Sequence, residues 1–388
     1  MTTRTHHGGG TGRTILLAHP SADLYGSDRV ALESVSALVE AGWRVIVTLP
    51  AHGPLSALVR ERGAHVAICP TLVLRKALLR PRGVVTLLRD TLAGLRHGWR
   101  LLVHLRPAAM YVNTVTIPLW VLLARLRRVP TLCHVHEAEG SAPAWARTVL
   151  GLPLLAADVV IANSRFSIGV IARSFPRLGR RIELVHNGVP GPADRSMGRE
   201  VLEPPVRIVY IGRLSPRKGV DVAVDALRCL DERGVTAHLD LVGAVFPGYE
   251  WYQAELEAQV ARLDLRDRVT FHGFRNEVWD LVRSSDLVVV PSRIDEPFGN
   301  TAVEAVLCAR PVVASETSGL LEATAGYRSA HTVLPGSAEA LADGIVRVVS
   351  EWDRSRNDAW ADAATAVARH SPQTFRARVV DVVSRMVT

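Results

Sequence analysis

Short apolar runs rich in β-branched residues alternate with stretches of helical periodicity through the first half of the chain. TILLAHP, WRVIVTLP, HVAICP, AAMYVNT, TLCHVHE, DVVIANS and IELVHNG are such runs. Strands of a parallel sheet covered on both faces have this near-continuous apolar character. The stretches between them predict strand-helix-strand units. Three runs end in polar residues, His136 and Glu137, Asn163 and Ser164, and Asn187 and Gly188; ligands of open α/β sheets bind at that carboxyl edge. From Pro190 to Pro205 the pattern stops, and PGPADRSMGREVLEPP has the composition of a linker. A second series follows, VRIVYIGRL, AHLDLVG, VTFHGF, LVVVPS and RPVVAS, again with helices between. The expected organisation is a disordered lead-in over 1–13, an α/β domain over 14–189, a linker over 190–205 and a second α/β domain over 206–370, with a cleft between the domains. Ser371-Pro372 interrupts the helical tail, so 371–388 is expected as a separate helix that can cross back to brace the first domain.

Size agrees with two domains, since 388 residues exceed the usual single core. The most apolar candidate span, IPLWVLLARL, is broken by Arg125 and closed by Arg127, Arg128 and Pro130. It falls short of the roughly 20 residues a bilayer needs and is expected as a buried amphipathic helix. MTTRTHHGGGTGRT lacks the apolar core of a secretory signal, which predicts a cytoplasmic protein. Cys69, Cys133, Cys229 and Cys308 are scattered in or beside apolar runs and are expected as reduced thiols. The net charge of +8 is uneven: Leu72 to Pro130 holds eleven Lys or Arg and one acid, Asp90, for a local 11 − 1 = +10. Such a block calls for an anionic partner or heavy solvation.

Two motifs carry candidate chemistry. The first strand of the second series runs into IGRLSPRKGVD, where Gly212 and Gly219 permit tight turns and a helix begins near Val220. Arg213, Lys218 and free backbone N–H groups then converge at one strand end, a fit for a diphosphate; a solvated basic loop is the alternative. Neither the Walker spacing nor a G-x-G-x-x-G after a strand occurs, which disfavours P-loop ATPases and simple dehydrogenases. The second motif is EPFGNTAVEAVLCARPVVAS, after LVVVPS. Asp295, Glu296, Pro297 and Phe298 form its loop, Gly299 and Asn300 open a helix, and Glu304 lies about one turn inside. Carboxylates accept from sugar hydroxyls and a helix N-terminus suits phosphate oxygens; helix acids complementing the dipole are the bland alternative.

R-x-x-x-x-K-G followed by E-P-F-G-N-T-A-V-E-A and P-V-V-A-S resembles the retaining glycosyltransferases of family 4, which have the two-Rossmann-domain GT-B fold. The resemblance extends over nearly the whole chain, with the Gly26-Ser27 loop, HVHE, ANS and HNGV in the first half. It implies that Arg213 and Lys218 hold a donor diphosphate, Glu296 binds hydroxyls of the donor sugar, and Glu304 binds the ribose. Backbone at Phe298, Gly299, Asn300 and Thr301 would line the sugar and phosphate pocket. Gly26 and Ser27 would approach the phosphate, and His136 would face the reacting sugar from the acceptor side, with His134 beside it. Glu296, His136, Arg213 and Lys218 are thus the expected catalytic set. Two departures stand out: Tyr25-Gly26-Ser27-Asp28-Arg29 has one glycine where the family often has two, and Ala309 replaces a glycine after the second motif's helix.

The family resemblance suggests front-face displacement with retention, the leaving phosphate helping to deprotonate the acceptor; a covalent glycosyl-enzyme is the other retaining route. No D-x-D occurs and no Cys/His cluster offers a zinc site, so the nucleotide-sugar, UDP- or GDP-linked, is expected as substrate with no metal or other cofactor. The basic segment 72–130, expected to contain an amphipathic helix pair, suits an anionic membrane surface, against the alternative of solvated arginines. Nucleic acid is disfavoured, since Trp99 is the one aromatic in the stretch LRKALLRPRGVVTLLRDTLAGLRHGWRLLVHLRP. The leading expectation is therefore a transferase acting on a lipid-linked or cell-surface polysaccharide acceptor at the inner face of the cytoplasmic membrane. The alternatives are a transferase decorating a small natural product and a non-catalytic sugar-nucleotide-binding protein.

Overall fold

The computed structural model describes residues 12–24, 26–74, 84–137, 140, 143–246 and 248–388. The chain divides into two units, one formed by the residues up to Gly188 together with Pro372–Thr388, the other by Val189–Ser371.

The first unit is built on a seven-stranded parallel sheet. Its strands are β1 (Thr14–Ala18), β2 (Arg44–Leu49), β3 (His65–Ile68), β4 (Ala109–Val112), β5 (Thr131–Val135), β6 (Val159–Ala162) and β7 (Glu183–Leu184), in the order β3-β2-β1-β4-β5-β6-β7. The helices between them are α1 (Gly26–Glu40), α2 (Pro54–Glu61), α3 (Val84–Leu105), α4 (Pro118–Leu126), α5 (Ala144–Gly151), α6 (Arg165–Ser174) and α7 (Pro176–Gly179). Successive side chains of a strand face opposite ways, so β1 sends alternate residues to the two sides of the sheet. Ile15 and Leu17 pack with α1 residues such as Val35 and Leu38, whereas Leu16 and Ala18 pack with Trp120 and Leu123 of α4. Both faces are therefore core, which is why these strands lack polar alternation.

The second unit repeats the plan with β8 (Val206–Ile211), β9 (Ala237–Val242), β10 (Val269–Gly273), β11 (Leu287–Val290), β12 (Val312–Ser315) and β13 (Ala330–Val333), ordered β10-β9-β8-β11-β12-β13. Its helices are α8 (Val220–Glu232), α9 (Glu250–Arg262), α10 (Trp279–Ser284), α11 (Asn300–Leu307), α12 (Ser318–Thr324), α13 (Ala338–Ser350) and α14 (Trp352–His370). In each sheet the order reverses beside the first strand, between β1 and β4 and between β8 and β11. Crevices at such switch points are where this architecture binds ligands.

Two sequence expectations need amendment. Residues 190–205 have no regular structure but are not a free tether, because they are strapped to the second unit. Arg199 donates Nε and Nη2 to the two carboxylate oxygens of fully buried Asp286, at 2.8 and 2.5 Å. Trp352 and Arg310 hold the carbonyls of Arg199 and Ser196. Strand β13 was not foreseen; AHTV is short and half-buried along its length at the sheet edge, so it lacks the apolar signature of its neighbours. The helix pair expected in the basic segment is covered only in part: Val84–Leu105 form α3, while 75–83, with Arg75, Lys76, Arg80 and Arg82, lie outside the described residues. The expected lead-in also lies outside them as far as residue 11.

After Ser371 a new helix starts, α15 (Pro372–Val387), and it belongs to the first unit. Phe375, Val379, Val382 and Val383 enter the core beside α1. Arg376 clamps it by donating to Glu33 and Glu40, both at 2.6 Å.

Candidate functional site

At the switch point of the second sheet, the chain leaving β8 meets the chain leaving β11. Residues Pro216–Lys218 form a single 3-10 turn that Gly219 ends with φ of +66°. A Cβ on Gly219 would stand 2.0 Å from the Pro291 carbonyl oxygen, so only glycine lets this turn press against the end of β11. That approach brings the Lys218 Nζ to 2.9 Å from the Glu296 Oε1. Ser292 donates its hydroxyl to the same oxygen at 2.8 Å. Burial alone would push the Glu296 carboxyl up; Lys218, then Arg217 and the Ser292 hydroxyl outweigh it and hold the group below its ordinary range. Glu296 is thus a buried, ionised carboxylate matched to a lysine.

The rest of the second motif is arranged around this pair. The carbonyl of Asp295 accepts from Arg217 Nη2 at 2.5 Å, and its carboxylate accepts from the Ser318 hydroxyl at 2.7 Å. Gly319 on α12 comes so close to the loop that an added Cβ would lie 2.1 Å from the Glu296 carbonyl oxygen. Gly299, with φ of +121°, precedes α11, and Thr301 in its first turn donates to the Ile211 carbonyl at the end of β8, at 3.3 Å. The Phe298 side chain is core, edge-on to His370, so only its backbone is placed to meet a ligand. Asn300 opens α11, and Glu304 lies half-buried one turn further on. Arg213 lays its guanidinium over the Phe246 ring at 3.4 Å from the centroid, a stacked cation.

In the first unit His136 follows β5 and is buried, as is His134 within the strand. Their rings lie 3.8 Å apart, centroid to centroid. His134 is a structural neighbour: its Nδ1 bonds the Tyr111 hydroxyl at 2.7 Å and its ring stacks on Phe375 of α15. Burial and the neighbouring His19 push His136 down to about 3, against a smaller upward pull from Asp28. Burial and then His136 keep His134 well below its ordinary value. Gly26 and Ser27 are exposed at the start of α1, and Tyr25 lies outside the described residues. Asn163 and Ser164 are taken up in capping α6, where Ser164 Oγ accepts from the Ser167 amide at 3.0 Å and Asn163 Oδ1 from the Ser167 hydroxyl at 3.0 Å.

Sequence reasoning placed Arg213, Lys218, Glu296 and Glu304 on elements that meet at this switch point, but it missed Arg217 and Ser292. Both lie inside quoted motifs, SPRK and VVVPS; what singles them out is their direction, which only the turn against β11 sets. Among the described residues no group of three His, Cys, Asp or Glu side chains is arranged to hold a metal ion.

Two parallel sheets of Rossmann order, with flanking helices, define the GT-B class of fold. The family description "Glycosyltransferase Family 4" matches residues 25–191 and "Glycosyl transferases group 1" matches 196–366. The chain belongs to these group 1, family 4 glycosyltransferases. It is 31% identical over 185 residues to an uncharacterized glycosyltransferase of Methanocaldococcus jannaschii, covering 44% of this chain and 46% of that protein. It is 30% identical over 283 residues to D-inositol 3-phosphate glycosyltransferase of Salinispora tropica, covering 62% and 58%. The chain thus spans about half the length of the curated relatives it matches. In fold it is similar to HepE of Anabaena, solved in complex with UDP and glucose, with a TM-score of 0.80 at 23% identity over 96% of this chain and 99% of that one.

Proposed function

We propose that the protein transfers a sugar from a nucleotide-diphosphate donor, with retention of anomeric configuration, to a lipid-linked or cell-surface polysaccharide acceptor. The observation that carries the reading is the pairing of Lys218 with Glu296 at the switch point between β8 and β11. A lysine there supplies positive charge for a leaving diphosphate, and a buried carboxylate beside it accepts from sugar hydroxyls. Arg213 is the second diphosphate cation, Glu304 the ribose ligand, and backbone at Phe298, Gly299, Asn300 and Thr301 the pocket wall. Gly26 and Ser27 approach the phosphate, and His136 meets the reacting sugar. A Glu296 already neutralised by Lys218 is a poor nucleophile, which supports front-face displacement over a covalent intermediate. No metal is required on this reading, since Arg213 and Lys218 supply the charge. HepE in complex with UDP and glucose supports a UDP-sugar donor. Replacing Lys218 by alanine should lower transfer about a hundredfold, as loss of one oxyanion donor does; near wild-type kinetics would refute the assignment.

A lipid-linked acceptor draws support from the outer face of α3 and α4. Leu92, Trp99 and Leu126 are exposed there, at 67%, 41% and 71%. Arg127 lies over Trp99, with its guanidinium carbon 5.2 Å from the ring centroid, and Arg96 and Arg100 lie alongside on α3. Apolar side chains set among arginines fit an anionic membrane interface. No helix is long and apolar enough to cross a membrane among the described residues. The name D-inositol 3-phosphate glycosyltransferase favours a second reading, a small phosphorylated acceptor. Sedimentation with anionic liposomes separates the two: binding at low salt that is lost at high salt supports the lipid-linked acceptor, and no binding at low salt removes it.

A further inference from the structure

The carboxyl edge of the first sheet carries a line of four buried polar side chains that the proposed function uses only at its end. His19, Asn113 and His136 each stand one residue past β1, β4 and β5, three consecutive strands at the switch point. Asp28 adds a carboxylate from the first turn of α1. His19 Nε2 is 2.7 Å from Asp28 Oδ1, His19 Nδ1 is 2.9 Å from Asn113 Nδ2, and Asn113 Oδ1 is 3.0 Å from His136 Nε2. Asp28, His19 and Asn113 are each 1% or 2% exposed and His136 7%, so the contacts exchange little with water.

Donor and acceptor roles along this line are set from its acidic end. Asp28 Oδ1 accepts from the Ser21 hydroxyl at 2.7 Å, which marks it as a bare carboxylate oxygen. The His19 nitrogen facing it must then carry the proton. A neutral His19 presents a lone pair at Nδ1, and only the amide NH2 of Asn113 can donate to it. That turns the Asn113 carbonyl oxygen toward His136, whose Nε2 must donate. Nδ1 of His136 is left unprotonated and has no protein partner among the described residues.

We propose that Asp28, His19 and Asn113 are positioning residues that hold His136 as the neutral Nε2–H tautomer and so present its Nδ1 as a hydrogen-bond acceptor for a sugar hydroxyl. His136 then orients a hydroxyl by accepting from it, and acts neither as an acid nor as a cation toward phosphate. The line is buried on both sides of Asn113, so a change of protonation at His19 would reverse the amide and expose the opposite tautomer. The catalytic half of this inference rests on His136 meeting the sugar; the tautomer half does not.

Imidazole nitrogen spectra of the full-length, 15N-labelled protein at pH 7.5 test it directly. The His136 signals are assigned by their loss in His136→Gln. A pyrrole-type Nε2 and a pyridine-type Nδ1 are expected. An Nδ1–H form, an exchanging mixture or a doubly protonated ring overturns the proposal without any variant having to fold. In Asn113→Ala the His136 ring should become a tautomer mixture, with kcat reduced about tenfold and donor KM within about twofold, the pattern of an orienting contact made in the transition state. An unchanged His136 spectrum in that variant also overturns it. Wild-type turnover in His136→Gln would refute the sugar-facing reading and the catalytic half with it, leaving the tautomer to be decided by the wild-type spectrum.

Discussion

Lys218 and Glu296 show how a buried carboxylate is kept charged. Desolvation opposes the ionised form, and one lysine, one further arginine and one hydroxyl reverse it. Replacing Glu296 by glutamine keeps the volume and a hydrogen-bond acceptor but removes the charge. If Glu296 orients the transferred sugar, Glu296→Gln should bind the donor's nucleoside diphosphate within about threefold of wild type while turnover falls at least about tenfold, the signature of an interaction made in the transition state. Calorimetric titration and single-turnover kinetics read the two quantities separately. Equal losses in both would mean that Glu296 serves binding alone. The spacing of Glu296 and Glu304 was legible from sequence because Gly299 and Asn300 mark where the helix starts. The Lys218–Glu296 contact was not, since it depends on the Gly219 turn meeting Pro291, two points far apart in the chain that only the pairing of β8 with β11 makes adjacent.

Helix α11 carries the motif that identified the family, and its far end carries the departure from it. Ala309 has φ of +53°, its amide bonds the Val306 carbonyl at 2.9 Å, and the next amide, of Arg310, bonds the Ala305 carbonyl at 3.0 Å. This is a Schellman cap with alanine where glycine is usual. Arg310 stabilises the cap by donating to the Cys308 and Ala309 carbonyls from a fully buried guanidinium, which also holds the carbonyls of Ser285, Ser196 and Arg283. A left-handed alanine costs about 1–2 kcal/mol, yet its buried methyl contributes about 0.8 kcal/mol and glycine would add about 0.4–1 kcal/mol of chain entropy to the unfolded state. These terms nearly cancel, so Ala309→Gly should change stability by less than about 0.5 kcal/mol. Ala305→Gly, inside the same helix and equally buried, should cost about 2 kcal/mol. Urea denaturation of both variants checks the contrast, and equal losses would contradict the cap. Strands covered on both faces, such as β1 and β11, declare themselves by composition, whereas edge strand β13 does not. Pro372 announced the break before α15, but the partner of that helix was set by Phe375 and Arg376 finding His134 and Glu33, residues more than two hundred positions away.

For the molecule as a whole, the buried polar groups predict how acid will act on it. His134 and His136 stay neutral in the folded first unit, His136 down to about 3. In the unfolded chain they would take up protons below about 6.5. Between those values the unfolded state binds more protons than the folded one, so stability falls as the pH drops from about 6.5 toward 3, by up to about 1.4 kcal/mol per pH unit for each histidine. Glu296 works in a lower window: its carboxyl is held below the ordinary value, so its contribution is present above about 4.5 and is lost only as the pH falls further. The two histidines alone amount to at most about 4 kcal/mol over one and a half pH units, a large fraction of the 5–15 kcal/mol that keeps a typical domain folded; Glu137, whose carboxyl is pushed up by burial, takes up its proton first in the folded state and offsets part of that loss. Amide exchange in β4 and β5, whose ends carry Asn113 and His136, should therefore accelerate strongly between pH 7 and pH 5 after correction for intrinsic rates. The loop around Glu296 should hold its protection over the same interval. Equal protection of β4 and β5 at the two pH values would mean that the two histidines titrate freely in the folded protein, and that the line from Asp28 to His136 is open to water.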